Sequence, residues 1–175
     1  MAAGVAAAGG ELLCRLDADD RIAPDYLHLL AAALDVTPNV AYAYPSMEMF
    51  GDAQGSYYTR SFSAPSLVFQ GNFVCAGALV RRDTYEEAGG LADLPAWEDW
   101  DLWLRLLGRG HEGIWVPEAR YEWRRHGASR NRMTWRRRRM LRLRIWARHR
   151  ALLWRYGRVA LPMLVERARH PVRQQ

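Results

Sequence analysis

The chain has 175 residues, half of them hydrophobic and a quarter charged, a composition that fits a folded globular chain with one core and a small appendage. No apolar run approaches the ~20 residues a spanning helix needs, which argues against integral membrane insertion. The net charge is +6 and the pI near 9.8, yet no nucleic-acid-binding module accompanies the charge, so no nucleic acid is expected as a partner.

Residues 1–9 read as the end of a helix, without the basic n-region of a signal peptide. Residues 11–16 read as a strand that ends in Asp17, Asp19 and Asp20, three carboxylates in four positions. Such a cluster repels itself and suits one of two roles. A divalent cation compensates it, because Mg²⁺ and Mn²⁺ prefer carboxylate oxygens and bridge them to phosphates. Alternatively the aspartates make Asx-turns and cap the following helix. An EF-hand calcium loop fits less well, since the third ligand and the glycine are missing.

A helix follows at 24–36, entered through Ala23-Pro24-Asp25, then a strand at 40–49. Residues 51–62 resemble a turn and edge hairpin with Tyr57 and Tyr58, and 65–69 a short helical piece. A strand at 75–81 and a helix at 83–88 come next. Cys14 and Cys75 both lie in apolar strand-like surroundings without metal-ligand spacing, which predicts buried structural thiols in a reducing cytoplasm.

Residues 96–107 read as a helix whose Trp100, Trp103, Leu104 and Leu107 share one buried face. Glu98 and Asp99 fall in its first turn, where they complement the helix dipole or hold a carboxylate ready to accept a proton. Strands are expected at 113–116 and 119–124, and the alternation of strands and helices argues for an α/β sheet, incomplete at its N-terminal edge. From Arg130 onward an Arg, Leu and Trp mixture runs to about Tyr156, followed by Gly157 and a shorter helix to about Ala168. A helical wheel aligns Arg137, Arg144, Arg148 and Arg155 on one stripe and sets Trp135, Trp146 and Leu153 opposite. This pattern suits a helix on an anionic membrane surface, a nucleic-acid contact, or a packed helix with a solvated outer face.

Four blocks in order carry a resemblance: Gly10-Glu11 through Leu16-Asp17-Ala18-Asp19-Asp20, Val80 through Gly89-Gly90-Leu91, Trp97-Glu98-Asp99-Trp100 through Arg105, and Tyr121 through Arg124-Arg125-His126-Gly127-Ala128-Ser129. Over residues 1 to about 131 the chain resembles family 2 glycosyltransferases of the GT-A fold. The resemblance implies an α/β fold, a partial GT-A (Rossmann-like) mixed sheet flanked by helices, over 1–129. Residues 130–175 would then form a C-terminal Arg-rich helical appendage.

It further implies metal-dependent, inverting single-displacement transfer of a sugar from a nucleotide-diphosphate donor to the hydroxyl of a saccharide or lipid-linked acceptor. Asp19 would bind the divalent metal (Mn²⁺ or Mg²⁺), and Asp17 would help hold metal and nucleotide. Asp99, beside Glu98, would deprotonate the acceptor. His126 matches a position that reaches the metal or pyrophosphate in some members, or it is a plain surface histidine. Arg124 and Arg125 would neutralise the leaving group. Gln70-Gly71-Asn72-Phe73 lies where acceptor contacts are expected, or is an ordinary strand-entry turn. A cytoplasmic protein, peripheral at the inner face of an anionic membrane, is the expected setting.

In a complete GT-A domain roughly 80–100 residues of strands and helices precede the Asp-x-Asp strand. The chain thus reads as opening mid-domain, which predicts weak donor binding by itself. An inactive half-domain acting with a complementing polypeptide through its sheet edge is the alternative expectation.

Overall fold

The computed structural model describes residues 2–126 and 133–169. In chain order the elements are α1 (Ala2–Ala7), β1 (Leu12–Cys14), β2 (Arg21–Ile22), α2 (Tyr26–Val36), β3 (Val40–Gly51), β4 (Gly55–Tyr57) and α3 (Ala64–Phe69). They continue with β5 (Leu79–Arg81), α4 (Arg82–Glu87), α5 (Glu98–Gly108), β6 (Glu112–Arg125), α6 (Trp135–Arg148) and α7 (Arg150–Arg169). The fold is mixed α/β. The sheet runs β1-β5-β3-β6-β2, with β4 folded back on the far end of β3. β3 and β6 are parallel and every other pairing is antiparallel.

Alternation along the central strands divides the interior into two layers. Tyr42 and Tyr44 of β3 and Val80 of β5 face one side, where they meet Leu67, Trp100, Trp103 and Leu104 from α3 and α5. Ala43 and Leu79 face the other, against Tyr26, Leu30 and Leu34, which recur every fourth residue along α2. Two glycines make the close packing possible. A Cβ on Gly77 would lie 2.3 Å from the Tyr121 ring, and one on Gly113 would lie 2.2 Å from the Tyr42 ring.

Several expectations are corrected. The two strands expected at 113–116 and 119–124 are one strand, β6, whose register against β3 jumps from Val116 to Arg120 at a bulge. Pro117 lies in that bulge and cannot donate to a ladder, so the strand continues around it. The strand expected from Cys75 begins only at Leu79, because a turn closed by Ala78 N–H to Cys75 O comes first. Cys14 is exposed rather than buried, since β1 is an edge strand and pleating sends the neighbouring Leu13 inward. Asp25 stands at the N-cap of α2 but makes no side-chain capping bond.

The C-terminal helices divide at His149 rather than at Gly157, which lies inside α7. The wheel drawn through a continuous helix therefore fails: Trp146 donates its indole N–H to Val68 O at 2.9 Å, whereas Trp135 is 69% exposed. Leu141, Ile145 and Leu152 join the same core layer as α5. No helix among the described residues is long and apolar enough to cross a membrane.

Asp101 explains the position of the helix break. It is fully buried on α5, and its carboxylate pairs with Arg105 Nε at 2.9 Å, Arg148 Nε at 3.0 Å and His149 Nε2 at 2.9 Å. These bonds outweigh burial and hold the Asp101 carboxyl well below the usual carboxylate range. Stability from this lowered value is present above the unfolded carboxylate range and is lost as pH falls through the folded-state value. Asp101→Asn removes the charge that pairs with Arg105 and Arg148 and leaves an amide oxygen for one of them, so it is expected to cost about 2–3 kcal/mol in urea unfolding at pH 7. The difference from the parent should shrink under strong acid, and a neutral Asp101→Asn result would contradict the assignment.

Candidate functional site

The acidic turn follows β1 and is closed by Asp20 N–H to Asp17 O at 3.1 Å. Its three carboxylates avoid one another by taking three different partners. Asp17 accepts from Arg15 through Nε at 2.9 Å and Nη2 at 3.3 Å. Asp19 Oδ2 lies 3.0 Å from His126 Nε2. Asp20 accepts from the Tyr121 hydroxyl at 2.7 Å and from Arg124 N–H at 2.8 Å, which staples the turn to the end of β6. Burial nevertheless raises the Asp20 carboxyl, and Asp19 and Asp17 add to that.

The second acidic element is joined to this turn by one side chain. Arg15 extends its Nη1 to Glu98 Oε1 at 3.1 Å, so a single half-buried guanidinium bonds carboxylates 81 positions apart. Glu98 opens α5, and the residue before it, Trp97, has φ +62°, the one non-glycine residue with positive φ among those described. Such a conformation is uncommon for a bulky side chain and persists where the surroundings enforce it. Trp97 packs edge-on against Trp100 with ring centroids 5.8 Å apart. The expected face of this helix is present, with Trp100, Trp103, Leu104 and Leu107 all buried.

Asp99 is held at both oxygens. Oδ1 accepts from Trp100 N–H at 2.8 Å and Oδ2 from Asn72 Nδ2 at 2.9 Å. Asn72 is itself oriented by accepting from Val74 N–H at 3.0 Å. Desolvation pushes the Asp99 carboxyl up to about 6, against the lowering effect of the Trp100 N–H; Glu98 raises it further and Arg15 lowers it. A carboxylate with that value is ionised at neutral pH yet a stronger base than an ordinary aspartate.

The end of β6 splits its cations by strand alternation. Arg124 and His126 share the face toward the turn, where Arg124 Nε donates to Asp19 O at 3.0 Å and the guanidinium lies 4.7 Å from the Phe50 ring centre. Arg125 takes the other face, 4.3 Å above the Trp123 ring. The structure thus brings Asp19, His126 and Arg124 together, and separately Asp17 with Glu98. It gives Asp17 to Arg15 rather than to His126.

Among the described residues no group of three or more His, Cys, Asp or Glu side chains converges to hold a metal. Asp19 and His126, each more than 40% exposed, place one oxygen and one nitrogen 3.0 Å apart. The Asp19 carboxylate is the donor type that Mg²⁺ or Mn²⁺ prefers, and such ions take phosphate and water for the rest, while an imidazole is a less usual partner for them.

Sequence reasoning missed Arg15 and the Asp20–Tyr121 staple, and it marked the loop of Asn72 for acceptor contacts without its bond to Asp99. Arg15 carried a readable signal, a lone cation two residues before a run of aspartates. No protein-family model matches the chain, and no curated protein sequence matches it significantly.

Arg15→Met removes the cation that lowers Asp99 and unpairs Asp17 and Glu98. The Asp99 titration, followed by ¹³C NMR of its carboxyl, is expected to move above about 6, with a stability loss of about 2 kcal/mol. An unmoved titration would show that the bridge does not govern the site.

Proposed function

We propose that this chain carries the catalytic residues of a family 2-like glycosyltransferase of GT-A type. It would move a sugar from a nucleotide-diphosphate donor to a hydroxyl acceptor with inversion. The observation that carries the reading is Asp99, a carboxylate raised to about 6 and aimed by Asn72 and Trp100, tied through Glu98 and Arg15 to the Asp17–Asp20 turn. General base and diphosphate site are then parts of one linked structure.

Asp99 takes the proton of the acceptor hydroxyl as its oxygen bonds to the anomeric carbon. The bond from that carbon to the diphosphate oxygen breaks, and its electron pair leaves with the nucleoside diphosphate. Asp19 and His126 would hold Mn²⁺ or Mg²⁺, which supplies electrostatic stabilisation of the departing diphosphate. Arg124, fixed on the Asp19 carbonyl, adds positive charge on that side, whereas Arg125 stands over the Trp123 ring on the opposite strand face. Asp17, bonded to Arg15 through both carboxylate oxygens, would accept a hydrogen bond from a hydroxyl of the donor.

A second reading, in which activity needs a complementing polypeptide, draws on β1. It is the terminal strand of the sheet, three residues long, and its outer edge has no strand partner among the described residues. Transfer that begins only when a second polypeptide is added would favour it.

In a donor-dependent transfer assay, Asp99→Asn is expected to lose about 10²–10⁴-fold in rate while the fold is retained. The base works deprotonated, so the parent rate should rise as pH passes through about 6 and level off above it. Asp19→Ala is expected to remove the response to Mn²⁺. Full transfer by Asp99→Asn would refute the assignment.

A further inference from the structure

The C-terminal helices have an outer face that neither the core nor the proposed chemistry uses. Their inner stripe, Leu141, Ile145, Leu152 and Ala160, is buried against the rest of the protein, so packing is already satisfied. Yet Trp154 is 86% exposed, Met140 71% and Trp135 69%, with Leu143 also exposed. Helical spacing puts Trp135, Met140 and Leu143 on one side of α6, and exposed apolar side chains gathered on one face mark an interaction surface.

Charge identifies the partner. Residues 1–126 hold 18 of the 19 carboxylates, whereas residues 127–175 hold fifteen of the 25 arginines and one carboxylate, Glu166. Between 133 and 160 there are ten arginines and no carboxylate. The run Arg136 to Arg139 lies exposed in the first turns of α6, with the Arg139 guanidinium 5.5 Å from the Trp135 ring centre. Indole, thioether and leucine side chains among guanidiniums, on the face opposite a packed stripe, are what a helix lying in the interface of an anionic bilayer requires. Polyanion binding by charge alone would leave the apolar residues without a role. A second copy docking through the same face would oppose like charges.

We propose that the outer face of α6 and α7 docks on an anionic lipid bilayer, with Trp135 and Trp154 entering the interface and the arginines contacting lipid headgroups. This surface is independent of the sugar-transfer reading, and its test does not involve turnover.

The full chain would be sedimented with phosphatidylcholine vesicles, with and without phosphatidylglycerol, beside two double variants checked by circular dichroism. One combines Trp135→Ala with Trp154→Ala, and the other Arg136→Gln with Arg139→Gln. The parent is expected to pellet only with the anionic vesicles, and each double variant to partition about tenfold more weakly. The proposal is overturned by a folded parent that stays in solution or by equal pelleting on neutral vesicles. It is also overturned if the tryptophan variant partitions like the parent, or if the parent self-associates in solution and Trp154→Ala abolishes this.

Discussion

One buried charge dictates much of the architecture. Asp101 has no access to water, and its carboxylate is met by Arg105 from its own helix and by Arg148 and His149 from the α6–α7 junction. A carboxylate that has lost its hydration must find such partners or remain protonated. The C-terminal helices are therefore keyed to α5 at one point, and α6 must end there to present two consecutive basic side chains. Trp146, on the turn before, donates to Val68 O and so ties the same junction to α3.

With its middle fixed, α5 presents its first turn in a defined place. Trp97 is forced into a left-handed conformation at the entrance, Glu98 is taken by Arg15, and Asp99 is left between Asn72 and the Trp100 N–H. The raised Asp99 carboxyl follows from that confinement, since the site removes water faster than it adds compensating donors. On the other side of Arg15, three aspartates coexist because each is bonded to a different group. Within this turn, Asp19 and His126 combine partial exposure with a mutual contact of 3.0 Å. The acid cluster is thus also a turn, and the two roles read from its sequence are compatible.

Much of this was legible beforehand. The buried face of α5 followed from helical spacing, the acidic turn from three aspartates after an apolar run, and α2 from its Ala23-Pro24-Asp25 entrance. What escaped depends on contacts between distant segments. Arg15 could bond Glu98 or solvent equally well by local rules, and Asn72 sits in a loop whose composition suggests only a turn. Asp101 looked like one more acidic residue in a helix start, because its three basic partners lie four, 47 and 48 positions away. The break at His149 was hidden for the same reason: Gly157 is the stronger local breaker, but tertiary pairing placed the junction elsewhere. Pro117 suggested two strands where a bulge keeps one.

The central claim is that Asp19 and His126, held beside the Arg15-linked carboxylates, form a metal-dependent diphosphate site. Isothermal titration of the folded chain with UDP in the presence of Mn²⁺, repeated on Asp19→Ala, tests it most directly. Binding that requires Mn²⁺ and vanishes in the variant is the expected result. Binding that persists unchanged in Asp19→Ala, or that ignores the metal, would contradict it.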